Sequence, residues 1–243
     1  MSLLWPETVQ LAIGPDALCL SRRGEPALSL PCSGDWDASL AALPALPRRT
    51  RLAVCVADRH VRYLRLDWPA GLKAGERAAF VEHRFHAVFG AGPWAVQADR
   101  DAICLRSLGV ALPAALEAAL QVFVGGRGLR LVALEPAFPR SYNRLRPRLR
   151  GDGALARLEA GRVTLGLWQG GQWRAVRSQP VARADAAAAV ACLLTLLATL
   201  PPAAATSGNT SGHTLYLCGA TDSAATIDTL PAGWRGVHLE GGE

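Results

Sequence analysis

The feature that most narrows the fold is a repeated order of short apolar runs and glycine-bearing turns. Near the start, Val9 to Ile13 (VQLAI) and Ala17 to Leu20 (ALCL) flank Gly14-Pro15-Asp16. Runs of this length, rich in branched residues and bounded by Gly, Pro and Asp, read as strands joined in a hairpin. Past the midpoint the pattern returns. Leu155 to Glu159, Val163 to Trp168 and Trp173 to Ser178 are separated by Ala160-Gly161 and Gln169-Gly170-Gly171. A long Ala/Leu helix, Ala184 to Leu200, follows with Asp185 near its start, and then a strand, Thr214 to Cys218, that ends at Gly219. Hairpins, then a helix, then a strand, given twice, predict an α/β chain of two related lobes. The apolar residues of the long helix face several directions, so the helix is expected to pack broadly on the second sheet.

Between the repeats, Arg51 to Val56 and Val61 to Leu66 read as strands. Glu76 to Phe89 is an amphipathic helix with Phe80, Val81, Phe85, Val88 and Phe89 at helical spacing. Trp94 to Gln97 and Ala102 to Leu105 suggest a strand pair. A helix runs from Pro113 to Val124, with proline in its first turn and Gly125-Gly126 at its end, before a strand from Leu129 to Leu134. Residues 31–49 are loop-like with a short helix at Trp36 to Leu43, 201–213 read as a flexible loop, and Val237 to Leu239 as a last strand.

Composition removes several classes. At 243 residues and 50% hydrophobic, the chain can bury one large core or two modest ones, and 19% charge is too little for a disordered chain. The longest apolar stretch, Val190 to Leu200, is too short to span a bilayer. Met1 to Ile13 lacks a basic start and carries Pro6 and Glu7, which is unlike a signal peptide, so the expected address is the cytoplasm. Six cysteines include no Cys-x-x-Cys pair and are expected to be buried and reduced.

Familiar catalytic patterns are missing. No Gly-Lys-Ser/Thr surrounds Lys73, the only lysine, and there is no Gly-x-Ser-x-Gly. Gly125-Gly126-Arg127-Gly128 closes a helix, whereas a dinucleotide loop opens one. His83 and His86 share a helix with Glu82 but lack a third ligand at metal spacing. Nothing in the spacing of Asp58, His60 and Ser107 argues for a triad.

Net charge is +6, and the densest basic run is Arg140 to Arg150 (RSYNRLRPRLR). Guanidinium forks suit phosphates and carboxylates. Without aromatic interleaving or a base-reading module, however, the run reads first as a solvated connector between lobes, not as a nucleic-acid surface. Of seven tryptophans, Trp168 and Trp173 flank one hairpin and suit either a core or a partner surface.

This order resembles the actin-like ATPase superfamily, and within it the type IV pilus M-type proteins and the cytoplasmic part of type II secretion L-type proteins. The resemblance implies an α/β, two-lobed actin-like (ribonuclease H-like) fold with mixed sheets. It implies an N-terminal lobe over 1–126 with a subdomain inserted at about 49–106, and a C-terminal lobe over 127–243. In that superfamily Asp-x-Gly turns in the first hairpin of each lobe hold phosphate. Here Gly14 stands without the acid, Glu159-Ala160-Gly161 carries Glu for Asp and is followed by Thr164, and the turn that packs on adenine keeps one glycine, Gly219. Gly14, Glu159, Gly161, Thr164 and Gly219 are therefore expected to mark a vestigial nucleotide site with no catalytic residue, no metal and no cofactor.

The resemblance further implies a non-catalytic scaffold at the cytoplasmic face of the inner membrane. Its partners would be the cytoplasmic tail of a bitopic inner-membrane protein and, beyond it, a hexameric secretion ATPase. Arg140, Arg144, Arg146 and Arg148 are the expected partner-binding residues. An L-type protein would carry a membrane span after this domain, so the sequence fits either an M-type protein or part of a longer chain. The alternative is an actin-like-fold phosphotransferase or weak nucleotide binder.

Overall fold

The computed structural model describes residues 8–99, 106–182, 186–200, 213–219 and 230–239. The chain divides into two compact units. The first takes Met1–Val61, Gly92–Ala95 and Ala111–Arg140, and the second takes Arg62–Ala91, Val96–Val110 and Ser141–Glu243.

The chain begins with three strands, β1 (Thr8–Ile13), β2 (Ala17–Ser21) and β3 (Leu28–Pro31), paired antiparallel in succession. Val9, Leu11 and Ile13 of β1 and Leu18 and Leu20 of β2 are buried, the period-two face that the sequence pattern predicts. A short helix, α1 (Trp36–Ala41), starts where the Asp35 carboxylate accepts the Ala38 N–H at 3.0 Å. Then β4 (Arg51–Val56) pairs parallel with β1. Flanked on both sides, β4 buries Leu52, Ala53, Val54 and Val56 almost without alternation.

Next come β5 (Arg62–Asp67), α2 (Arg77–Phe89), β6 (Trp94–Ala98) and β7 (Arg106–Pro113), followed by α3 (Ala114–Gly126) and β8 (Arg130–Pro136). The helix α3 buries Leu116, Ala119, Leu120 and Phe123, at i, i+3, i+4 and i+7. Its stop differs from the sequence expectation. Gly125 and Gly126 lie inside the helix, and the left-handed residue is Gly128, at φ +62°. Gly128 N–H donates to Gly125 O at 3.1 Å and Leu129 N–H to Val124 O at 2.9 Å, the two bonds of a Schellman cap. The Arg127 guanidinium donates to the carbonyl of Ala41 at the end of α1 and to those of Leu43 and Pro44 just past it, and rests on the Phe123 ring. The first sheet runs β3-β2-β1-β4-β8, with β8 parallel to β4.

The stretch 136–153 is not a solvated connector. It forms α4 (Ala137–Leu145) and a 3₁₀ turn, Arg146–Arg148. Ala137, Phe138, Ser141 and Leu145 are buried along one helical face, while Arg144, Arg146, Arg148 and Arg150 are exposed. Asp58 supplies the cap that the local sequence lacks. Its buried carboxyl group accepts the Phe138 N–H at 2.9 Å, so a first-turn N–H of α4 is capped from outside the helix.

In the second unit, β9 (Gly153–Glu159), β10 (Arg162–Gln169) and β11 (Gln172–Pro180) form an antiparallel meander. They are followed by α5 (Ala186–Ala198), β12 (His213–Gly219) and β13 (Trp234–His238). The sheet order is β11-β10-β9-β12-β13, with β12 parallel to β9 and β13 parallel to β12. Counted from its own first strand, each five-stranded sheet therefore has the order 3-2-1-4-5. Ala189, Leu193, Leu196 and Leu197 of α5 join Ala156, Val163, Leu165 and Leu217 in one core, as the distribution of its apolar residues predicts. A third sheet, β5-β7-β6, completes the described strands. Arg65 of β5 donates to the Arg174 carbonyl at 2.6 Å and so covers part of the exposed edge of β11.

Several expectations fall outside the described residues: the strand at Ala102 to Leu105, the cap at Asp185, and most of the loop at 201–213. Of the cysteines, Cys218 is buried, whereas Cys19, Cys32, Cys55 and Cys192 are half-exposed, so burial was overestimated for these four. Among the described residues no helix is long and apolar enough to cross a membrane.

Candidate functional site

The β1–β2 turn is closed by Gly14 N–H donating to Ala17 O at 2.8 Å. A Cβ on Gly14 would lie 2.9 Å from that same oxygen, so the turn requires glycine there. The Gly14 carbonyl is taken by the protein itself, since His60 Nε2 lies 2.9 Å from it. The His60 ring meets Trp36 edge-on at 5.0 Å, and Arg59 approaches Asp16 at 3.8 Å. Thus two side chains of the 3₁₀ turn Asp58–His60 close over the hairpin turn.

In the β9–β10 turn, Ala160 and Gly161 are the two central residues and Glu159 is registered against Arg162. Gly161 takes the left-handed conformation at φ +83°. Glu159 is paired with Arg157, two residues back on the same face of β9, and the two side chains are only 10% and 12% exposed. Thr164 is wholly buried, its hydroxyl 3.0 Å from the Ser178 hydroxyl, and Ser178 also accepts from Arg162 at 3.0 Å. The acid and the hydroxyl singled out in the sequence are thus each held by neighbours within the meander.

At the end of β12, Gly219 has φ +110° and is registered against Leu158. A Cβ there would stand 2.0 Å from the Leu158 carbonyl oxygen. Two strand backbones approach each other at this point, and that alone requires glycine.

The remaining candidates separate. Arg140 is half-buried and donates to Gln10 Oε1 of β1 at 3.1 Å, so it anchors α4. Arg146 lies near Tyr142, whose phenol is pushed up by burial and pulled back less strongly by that cation. Tyr142 packs against Trp173 at 4.6 Å and Trp168 at 5.7 Å, and Trp168 stacks on Tyr216 at 6.0 Å. The Trp168 indole is 5% exposed and donates to Gly151 O at 2.8 Å, which makes it a core residue. Asp58 caps α4, His60 meets Gly14, and Ser107 accepts from Trp68 Nε1 at 2.7 Å, so these three serve unrelated contacts. Among the described residues, no three of His, Cys, Asp and Glu are grouped to hold a metal.

No protein-family model matches the sequence, and no curated protein matches it. Solved structures do match. A Bacteroides thetaiotaomicron protein with an actin-like ATPase fold and unknown function superposes with a TM-score of 0.59 at 10% identity, over 96% of this chain and 90% of that one. A chain of the PilM–PilN type IV pilus biogenesis complex gives 0.58 at 16% identity, over 95% and 88%. The cytoplasmic domain of EpsL, an inner-membrane component of the type II secretion system of Vibrio cholerae, gives 0.55 at 8% identity, over 96% and 90%. The fold is actin-like.

In an actin-like fold the two equivalent hairpins are β1–β2 and β9–β10. Sequence reasoning located both turns. It missed what occupies them: His60 meets Gly14 across 46 residues of sequence, whereas Arg157, two residues before Glu159 on an expected strand, is a same-face neighbour that period-two alternation could have found. A carboxylate already engaged by a guanidinium at a nearly dry site is poorly placed to hold Mg²⁺, since the pair must first be separated. In the β1–β2 turn the Gly14 N–H is already given to Ala17 O, so that donor is not offered to a phosphate.

Proposed function

We propose that the chain is a non-catalytic scaffold of a type IV pilus or type II secretion assembly platform, working at the cytoplasmic face of the inner membrane. The observation that carries this reading is the Glu159–Arg157 pair. Glu159, the acid at the β9–β10 turn, is neutralised from within its own strand. The fold likeness to a chain of the PilM–PilN complex and to the EpsL cytoplasmic domain supports the choice of system. With Glu159 and the Gly14 carbonyl engaged by its own side chains, the chain acts through surfaces. Its partner is the cytoplasmic tail of a bitopic inner-membrane protein, and a hexameric secretion ATPase is a second. The exposed Arg144, Arg146 and Arg148 add attraction to an acidic partner.

The test is calorimetric titration of the purified chain with the synthetic cytoplasmic tail of the bitopic membrane protein encoded beside it. The reading expects saturable binding on the order of micromolar. No binding at several hundred micromolar, together with turnover of ATP, would replace it with the phosphotransferase alternative.

A further inference from the structure

The sheet β5-β7-β6 ends on β6, which has no strand beyond it among the described residues. Two backbone bonds fix its register. Ala114 N–H donates to Pro93 O at 2.8 Å and Asp99 N–H to Leu108 O at 3.2 Å, so residue numbers on the two strands sum to 207 at both ends. The pair is antiparallel, and its odd-numbered β6 residues face β7. In a strand the backbone groups of successive residues point to opposite sides. The N–H and C=O groups of Val96 and Ala98 therefore point outward, away from β7.

A groove of about 530 Å³ runs along that edge. One wall is residues 96–99, and the other includes Trp68, Arg77, Ala78 and Val81. Side chains alternate between faces along a strand, so four consecutive residues line one groove only when it follows the strand edge itself. The volume falls within the range of about 300–1,000 Å³ typical of ligand sites. The apolar floor is fixed. The Trp68 indole is held by Ser107 at 2.7 Å and packs on Phe80 at 5.5 Å, and Val81 is buried beside it. Arg77 lies over the Trp68 ring at 5.7 Å and forms no ion pair among the described residues, and neither does Asp99 on the other wall. The groove thus offers outward strand hydrogen bonds, an aliphatic–aromatic floor, one cation and one anion.

We infer that this groove takes an extended segment of a partner protein as a fourth strand on β6, with an acidic side chain beside Arg77, a basic one beside Asp99 and aliphatic residues between. Strand addition supplies affinity through main-chain bonds, and the two charges select sequence and direction. This deepens the scaffold reading and rests on it for the partner's identity, but the groove has its own probe.

The experiment uses the intact chain and the fluorescein-labelled peptide Glu-Val-Leu-Val-Lys, capped at both ends and followed by anisotropy. Saturable binding is expected. Arg77→Glu weakens it about fivefold or more, and a peptide with Lys in place of Glu recovers affinity for that variant. N-methylation on the peptide edge facing β6 abolishes binding, whereas N-methylation on the opposite edge leaves it intact, a comparison that needs no altered protein. No binding at millimolar peptide, indifference to Arg77→Glu, or equal effects of the two methylation patterns would overturn the inference. The membrane-protein tail separates it from the scaffold reading. A tail that binds wild type and Arg77→Glu equally removes the groove and leaves the scaffold. A peptide that behaves as expected beside a tail that fails to bind keeps the groove and removes the scaffold.

Discussion

Asp58 and Phe138 stand 80 residues apart in sequence, yet the buried Asp58 carboxylate accepts the Phe138 N–H at 2.9 Å and begins α4. A buried bond to a charged group contributes about 1.5–3 kcal/mol. Asp58→Ala should lower the unfolding free energy by about that amount, read from the denaturant midpoint. Asp58→Asn, which keeps an acceptor oxygen, should lose less. Equal losses would mean the carboxylate does not act as a cap.

Gly219 separates a structural turn from a nucleotide-binding one. With φ +110° and a virtual Cβ 2.0 Å from Leu158 O, Gly219→Ala should destabilise the protein by about 3 kcal/mol or more. Thermal unfolding checks this. A variant of unchanged stability would mean that glycine is kept there for a ligand.

Burial holds the Tyr142 phenol above the usual value of about 10, with nearby Arg146 opposing the shift. A raised value in the folded state means that the fold favours the neutral phenol. The stabilisation is complete below about pH 10 and is lost as pH rises through the raised value. Urea midpoints at pH 9 and 11 should therefore fall less for Tyr142→Phe than for wild type. Identical pH slopes would contradict the burial of the hydroxyl.

The exposed arginines carry a prediction about partners. Replacing Arg144, Arg146 and Arg148 together with Glu should weaken low-salt binding of an acidic membrane-protein tail about fivefold or more, and raising the salt should shrink the difference. Arg140 is left out because Gln10 holds it. Unchanged binding would reduce the run to the exposed side of α4 and its 3₁₀ turn.

Much of this was legible in local pattern. The hairpins β1–β2 and β9–β10, the central strand β4 and the helix α5 all followed from alternation and from Gly-bearing turns, because short-range rules decide them. What escaped depends on distant contacts. The sequence pattern assigns no strand at β7; in the fold a Cβ on its Gly109 would stand 2.9 Å from both Leu66 and Phe85, so the glycine lets α2 and β5 pack close. The helix α4 looked like a connector because its cap is Asp58. At the candidate site the glycine turns and the absent Asp are legible in the sequence, and so is Arg157 two residues before Glu159 on one strand face, whereas His60 at Gly14 is a product of the folded geometry.

The central proposal is that this actin-like chain, with Glu159 held by Arg157 and the Gly14 N–H given to Ala17, does not use its turns for a nucleotide and works by binding proteins. Calorimetric titration of the intact protein with ATP, with and without Mg²⁺, tests it most directly. The account predicts no saturable heat up to millimolar nucleotide, and no release of phosphate on incubation. Micromolar affinity that requires Mg²⁺, abolished by Glu159→Gln, would contradict it.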